Sequence, residues 1–450
     1  MKHILPLLLF FISSLHSFTQ NDSWISLFNG KNLEGWNQKN GKAKFEVING
    51  EIVGTAVPNT PNSFLCTNQN FSDFILELEV LLEDKMNSGI QFRSLSTPDY
   101  QNGRVHGYQL ELDPTPRAWS GGIYDEGRRD WLYIPNINPD GKNAFKVGIW
   151  NTLRIEAFGN TLRTWINSIP VAHLIDDMTS TGFIALQVHS IYGDMTEGMR
   201  VRWRNIKIKT GDISPSPTDN IPVHNLIPNY LSIQEKQLGF DLLFNGDDLK
   251  SWRNVYTQDT PSKRWKVDGG AIIVNSSDGS ETGNDIVTRS NFSSFEFTFE
   301  FKLTDGANSG IKYFVNENFD SGGKSGIGLE YQILDDEKHP DAQQGAAGNR
   351  TLASLYDLIP PKKPDARFLK KPGQWNYGRI IVYPDQKVQH WLNGFLVVEY
   401  ERKSPLFNAL VARSKYHIFP GFGLQNEGPI LLQDHGDEVA FRSLKIRKLN

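Results

Sequence analysis

The chain contains one long internal duplication, and this constrains its fold more than any other feature. Leu27-Phe28-Asn29-Gly30-Lys31-Asn32-Leu33-Glu34-Gly35-Trp36 returns as Leu243-Phe244-Asn245-Gly246-Asp247-Asp248-Leu249-Lys250-Ser251-Trp252, a spacing of roughly 220 residues. That period is too long for a solenoid turn or a propeller blade, so each copy must be a whole domain. The matches continue in order. Asn87 to Ile90 (Asn-Ser-Gly-Ile) repeats at Asn308 to Ile311, Trp165-Ile166-Asn167-Ser168 answers Trp391-Leu392-Asn393-Gly394, and Leu186-Gln187-Val188-His189 answers Leu432-Gln433-Asp434-His435. Residues 22–210 and 239–450 are therefore read as two copies of one domain, with residues 211–238 between them.

The pattern inside each copy is that of an all-β fold. Phe295, Phe297, Phe299 and Phe301 alternate with Glu296, Thr298, Glu300 and Lys302, as a strand with one apolar face requires. Phe74 to Val80 alternates in the same way. Asn167-Ser168 and Asn393-Gly394 each interrupt a pair of short apolar runs with residues that tolerate the positive φ of a tight hairpin. Many short strands separated by Gly, Pro and Asn turns predict two tandem sandwiches of antiparallel sheets. The intervening segment carries Pro215, Pro217, Pro222 and Pro228 and reads as an extended linker. Ser232-Ile233-Gln234-Glu235 is a capping-box pattern and predicts a short helix at the entrance to the second domain.

Composition excludes some functions. With 47 basic against 51 acidic residues and a net charge of -4, the chain offers no basic stripe for nucleic acid. At the N-terminus, Lys2 and His3 precede an apolar run from Ile4 to Ile12 and a small, polar stretch from Ser13 to Gln20. This is the layout of a secretory signal peptide over residues 1–20. The run is shorter than the ~20 residues of a membrane span, and no cysteine follows it to accept a lipid. A secreted or periplasmic protein, without a membrane span after cleavage, is the expectation. The single cysteine, Cys66, rules out an intrachain disulfide and sits in an apolar strand context that favours a buried thiol.

Candidate functional residues stand out because they return. Gln109 and Glu111 occupy positions i and i+2 of one strand and so share a face; Glu330 and Gln332 repeat the pair in swapped order. A carboxylate beside an amide can grip neighbouring sugar hydroxyls or help to hold a divalent cation, although an exposed polar strand face would carry the same pattern. Gln187 with His189 and Gln433 with His435 form a second such pair, in which histidine is a base suited to neutral pH and also a metal ligand. Asp434 can assist His435 only if the chain turns at Gly436. In the first copy Trp119 to Trp131 interleaves aromatic rings with Tyr124, Asp125, Arg128 and Arg129, a composition suited to stacking on sugar rings and bonding their hydroxyls. Its counterpart keeps Tyr356 and Asp357 but lacks the arginine pair. Asp335-Asp336-Glu337 with His339 and Asp341 could bind a hard cation, but reads more simply as an acidic loop. Gly322 to Gly326 has neither the spacing nor the context of a phosphate loop.

The repeated Leu-Phe-Asn-Gly…Trp opening, Asn-Ser-Gly-Ile, Gly-Leu-Glu-Tyr-Gln (Gly328 to Gln332), the run from Gly428 to Gly436 and the closing Phe441 to Ile446 together resemble the 3-keto-disaccharide hydrolase domain family. The resemblance covers nearly the whole mature chain as two copies. It implies concanavalin A-like jelly rolls with sugar bound on a concave face, and a secreted or periplasmic role in carbohydrate breakdown. It further implies cleavage of glycosides whose C3 hydroxyl a partner sugar 3-oxidoreductase has converted to a ketone. Such a ketone acidifies the hydrogen on C2, so elimination would require a base, an acid and an electrophilic group, the last to meet the developing enolate. Direct displacement would need two opposed carboxylates. His189, His435, Glu111 and Glu330 are the expected catalytic groups. Gln109, Gln187, Gln332, Gln433 and Asp434, with Tyr124, Tyr356, Asp125, Asp357, Arg128 and Arg129, are the expected substrate contacts. The alternatives are a noncatalytic, lectin-like carbohydrate-binding protein and an interaction module that has lost activity.

Overall fold

The structure, a computed structural model, describes residues 24–83, 86–192, 198–274, 284–319 and 325–450. The expected signal peptide and Gly322 to Lys324 lie outside these residues. Each copy is a jelly-roll sandwich, with sheets of nine and seven strands in the first and eight and five in the second among the described residues. The smaller sheet of the first domain runs Asp130–Tyr133, Ile123–Glu126, His106–Leu112, Ser88–Leu95, Gly182–Val188, Ser63–Phe71, Trp36–Asn40. That of the second runs Trp252–Asn254, Ile286–Thr288, Leu431–Leu432, Asn308–Asn316, Ile327–Leu334. In both, the strand carrying Asn-Ser-Gly-Ile lies between the strand of the Glu/Gln pair and the strand of the repeated glutamine.

The predicted alternation holds. Phe295, Phe297, Phe299 and Phe301 all have no exposed surface and enter the second core with Tyr331 and Ile311, whereas Glu296 and Glu300 bond arginines on the opposite face. In the first domain Leu76, Leu78, Val80 and Trp203 fill the equivalent core. Asn167 and Ser168 (φ 50° and 66°) and Asn393 and Gly394 (φ 48° and 86°) make the predicted hairpin turns. Cys66 is buried, and burial pushes its thiol up to about 12.

The duplicated opening motif has a physical purpose. In each copy the tryptophan indole N–H reaches back to the leucine carbonyl that starts the motif, Trp36 to Leu27 at 2.7 Å and Trp252 to Leu243 at 2.8 Å. The asparagine side chain accepts from two backbone N–H groups of the intervening turn, at Lys31 and Asn32 and again at Asp247 and Asp248. The turn is thus closed from inside before the chain enters the sandwich.

The segment between the domains is packed rather than free. His224–Asn225 adds a short parallel strand beside Leu174 and Ile175, and the Tyr133 hydroxyl donates to the Pro222 carbonyl at 2.9 Å. The capping box forms at Ser232 and Glu235. The buried Glu235 carboxylate also accepts from Asn225 at 2.6 Å and from Lys445 at 2.8 Å, tying the linker to the last strand of the second domain. The domains themselves meet through Trp119 against Phe368 (5.4 Å between ring centres), and Ile381 and Trp391 join the first core. No described helix is long and apolar enough to cross a membrane.

Trp252→Phe keeps an aromatic ring but loses the fused pyrrole with its N–H donor to the Leu243 carbonyl, leaving a small void as well as an unpaired acceptor. We expect it to destabilise the second domain by about 1–3 kcal/mol, read as a lower urea midpoint, with Trp36→Phe acting alike on the first.

Candidate functional site

In both copies, the smaller sheet turns alternate residues away from the core, and the repeated polar residues gather on that face. In the second domain Lys312 pairs across strands with Glu330, and Gly310 with Gln332. Gln433 lies beside them, its N–H donating to the Gly310 carbonyl. Gly310 is needed there, because a Cβ would stand 2.4 Å from Glu330 Oε1. Glu330, Lys312 and Gln433 line a cavity of about 270 Å³ together with Ser325, Lys415 and Tyr416.

The charges of this cavity are held from behind. The Lys312 ammonium donates to the Gly326 carbonyl at 3.0 Å and to Ser325 Oγ at 3.2 Å, and stands 3.8 Å from Asp285. Asp285 is fully buried, and desolvation raises its pKa. Its carboxylate accepts from the Asp434 and Gly326 N–H groups and from Ser325. Tyr416 Oη is 3.5 Å from Glu330 Oε2, and burial drives its phenol well above the usual range. Lys415 is exposed as a residue, but its ammonium stands 4.2 Å from the centre of the Tyr356 ring, and desolvation lowers its pKa. Gln433 Oε1 is buried with no hydrogen-bond partner among the described residues.

The first domain places different chemistry at the same positions. Gln91 pairs with Gln109 where Lys312 pairs with Glu330, and Gly89 pairs with Glu111 where Gly310 pairs with Gln332. Phe64 pairs with Gln187, the place that Asp285 takes beside Gln433. Three positions that are charged in one copy are thus neutral in the other: Phe64 for Asp285, Gln91 for Lys312 and Gln109 for Glu330. The first copy keeps one carboxylate, Glu111, which accepts from Asn87 at 2.6 Å and Gln109 at 2.7 Å. Burial outweighs these donors and pushes Glu111 up to about 7.

Residues 96–105 cross this face of the first domain. Val105 packs on Phe64, Cys66, Phe183 and Ala185, and its N–H donates to Asn40 on the far edge strand. Beneath this crossing, Gln91 and Gln187 lose all contact with solvent, and neither end of the Gln187 amide has a partner among the described residues.

The structure separates some of the residues that the sequence grouped. His435 is exposed and absent from the lining of the cavity, with its ring 6.2 Å from His339. Asp434 does not turn toward it. Its buried carboxylate takes Arg264 Nε at 2.6 Å, so it is neither an aid to His435 nor placed to touch a sugar. His189 is half-buried beside the Ser190 carbonyl, and desolvation holds its pKa below the usual value. Asp125 is wholly buried between Arg128 and Arg129, and Arg129 continues to Asp176. This ion cluster braces the loop rather than presenting hydroxyl-binding groups. Asp357 is engaged likewise by Arg350 and the Lys415 N–H. Tyr124 lies opposite Gln109 on its strand, Tyr356 donates its N–H to the Glu330 carbonyl from a turn, and the two phenols bond Asp130 and Asp341 respectively. Gln332 uses its side-chain oxygen on the Ile333 N–H.

The acidic run also resolves into local bonds. Asp335 accepts from the Gly306, Glu337 and Lys338 N–H groups, and Asp336 from Leu352 and Lys363. Among the described residues, no three of His, Cys, Asp and Glu converge as a metal site.

Sequence reasoning missed Lys312, Lys415, Tyr416 and Asp285. Lys312 had a signal, since it follows the repeated Asn-Ser-Gly-Ile where the first copy has Gln91. Lys415 and Tyr416 follow the helix Pro405–Arg413 and come to the cavity only through the fold.

Two tandem jelly rolls, each carrying its polar residues on the outward face of the smaller sheet, define the class of this protein. Residues 23–209 and again 239–447 match the 3-keto-alpha-glucoside-1,2-lyase-like domain, and the chain belongs to that family. A 3-keto-disaccharide hydrolase of Bacteroides thetaiotaomicron is 35% identical over 235 residues, 47% of this chain and 79% of the relative. A solved structure from Parabacteroides distasonis, provisionally assigned as a glycosyl hydrolase, aligns with TM-score 0.44 and 30% identity. It covers 50% of this chain and 100% of its own. A second from the same organism aligns with TM-score 0.34 and 23% identity over 47% of this chain and 99% of its own.

Glu111 gives this site a pH signature. Its folded pKa, about 7, lies above the ordinary 4.5, so between these values the folded chain holds a proton that the unfolded chain has released. Stability therefore falls as pH rises from about 4.5 to about 7 and is level beyond. Glu111→Gln removes that dependence, and its stability relative to the parent should improve by roughly 3 kcal/mol between pH 5 and pH 8, read from denaturant unfolding at the two pH values. An identical change in parent and variant would disprove the assignment.

Proposed function

We propose that this chain is an exported carbohydrate-active enzyme that breaks glycosidic bonds of 3-keto-glycosides, with the chemistry carried by the second domain. The observation that carries this reading is the cross-strand pair Glu330 and Lys312 in one cavity with Lys415, Tyr416 and Gln433. A carboxylate base facing ammonium groups across a small cavity is the arrangement that an elimination next to a ketone requires. Family membership and the similarity to a 3-keto-disaccharide hydrolase support the substrate class, and the N-terminal pattern of residues 1–20 supports export.

In this reading the Glu330 carboxylate takes the proton from C2. The C–H electron pair moves toward C3, and the enolate oxygen that develops there is met by the Lys312 ammonium. When the carbonyl re-forms, the C1–O bond breaks and its electron pair leaves with the glycosidic oxygen, which takes a proton from Lys415. Burial lowers the Lys415 pKa, which makes this ammonium a better acid. Water adding to the unsaturated product would complete a net hydrolysis; without that step the reaction is a lyase reaction. Gln433, with a buried carbonyl oxygen that has no partner among the described residues, is suited to accept from a sugar hydroxyl. Such a substrate must be supplied by an enzyme that oxidises the C3 hydroxyl.

The purified chain should release the aglycone from a 3-keto-glucoside and leave the parent glucoside intact. Glu330→Gln should lower kcat by a factor of about 10²–10⁴, the usual worth of a general base, and His435→Ala should stay within threefold of the parent. Full activity in Glu330→Gln would remove the basis for this assignment.

A further inference from the structure

The first domain lacks the charged trio of the second, yet it carries an open groove of about 520 Å³ along the flank of residues 96–105. That volume lies within the roughly 300–1,000 Å³ of pockets that hold small ligands. The groove is lined by Asn40, Asn62, Asn102, Arg104 and Glu126, with Phe64 at its base. Its two charges are one guanidinium and one carboxylate, so it favours neither an anion nor a cation. Its remaining polar groups are mainly amides, a group that both donates and accepts as a sugar hydroxyl requires of its partners, with Asn40 already spent on the Gly103 carbonyl and the Val105 N–H.

Glu126 is the informative residue. Its side chain is 8% exposed, and burial raises its pKa, so its charged form needs strong partners. Among the described residues its side-chain bonds are long, Arg104 Nη2 at 3.3 Å and Asn62 Nδ2 at 3.4 Å, where bonds to an ionised carboxylate are commonly about 2.7–2.9 Å. The carboxylate therefore retains accepting capacity on the side of the groove. Asn62 is anchored by the Ser190 N–H, and the left-handed backbone of Asn102 (φ 57°) sets that side chain at the exposed tip of the crossing segment.

We infer that this groove is a second, noncatalytic site that binds a neutral carbohydrate, with Glu126 and Arg104 gripping adjacent hydroxyls and Asn62 and Asn102 bonding the next. The inference rests on the carbohydrate reading of the chain but not on turnover. The first domain would hold the unoxidised part of a glycan while the second domain works on its keto sugar.

The test is calorimetric titration of the full chain with cellobiose and maltose, neither of which carries a ketone, and with glucuronic acid as an anionic control. One of the disaccharides should bind, and the acid should not compete. Glu126→Gln should weaken binding at least tenfold, and Asn102→Gly, which removes the side chain at an exposed position and tolerates the left-handed backbone, at least threefold. Glu330→Gln should bind as the parent does. The inference is overturned if neither disaccharide binds at tens of millimolar, or if both groove variants bind undiminished. Loss of binding in Glu330→Gln alone would move the ligand to the second domain and also overturn it. A groove that binds in a chain that does not cleave the keto glucoside leaves this inference standing and removes the catalytic one.

Discussion

A β-strand shows alternate residues to opposite faces, and in each sandwich one of those faces is sealed into a core of phenylalanine, isoleucine and leucine. Everything the site does depends on this constraint. Because Ile311, Tyr331 and Ile286 must stay inward to fill the second core, Lys312 and Glu330 are carried outward on the same strands, and Asp285 at the residue just before the strand Ile286–Thr288. A slip of one residue would bury the charges and expose the rings, at a cost of several kcal/mol for each unpaired charge. Core packing therefore fixes the placement of the polar residues to the width of one strand.

The same constraint lets the two copies diverge. Residues on the outward face can change without disturbing the core, and Phe64, Gln91 and Gln109 stand where the second copy has Asp285, Lys312 and Glu330. The electrostatic consequence is large. In the second domain a buried aspartate stands 3.8 Å from Lys312, and Lys312 lines a cavity with its cross-strand neighbour Glu330. In the first, the corresponding centre is a neutral amide ladder beneath residues 96–105, with Glu111 set one pair further along and its pKa raised. One fold thus presents two unlike surfaces, and the packed linker with Glu235 between Asn225 and Lys445 joins them in one molecule.

Much of the fold was legible in the residues because it rests on local rules. The phenylalanine alternation, the Asn-Ser and Asn-Gly turns and the Ser232–Glu235 capping box each depend on a few neighbouring residues, and each appears as expected. The candidate site was legible only where a local pattern reported a shared face. The Glu/Gln pairs met that condition, and the structure sets Glu330 in a cavity. The Gln/His pairs met it less well, since the strand Leu431–Leu432 ends before Gln433 and the alternation lapses at His435. Charge clusters such as Asp125 with Arg128 and Arg129 looked like ligand groups because sequence cannot distinguish a carboxylate facing solvent from one consumed by its own neighbours.

By itself the sequence determined that there are two copies of one all-β domain and which residues alternate across their strands, because these are properties of spacing along the chain. Only the tertiary structure decided that Lys312 faces Glu330, that Lys415 and Tyr416 arrive on a distant 3-10 helix, that Asp434 belongs to Arg264, and that residues 96–105 close over the first domain. These are distances between segments tens to hundreds of residues apart. They are set by strand register and by the burial of whole faces, neither of which any short stretch of sequence contains.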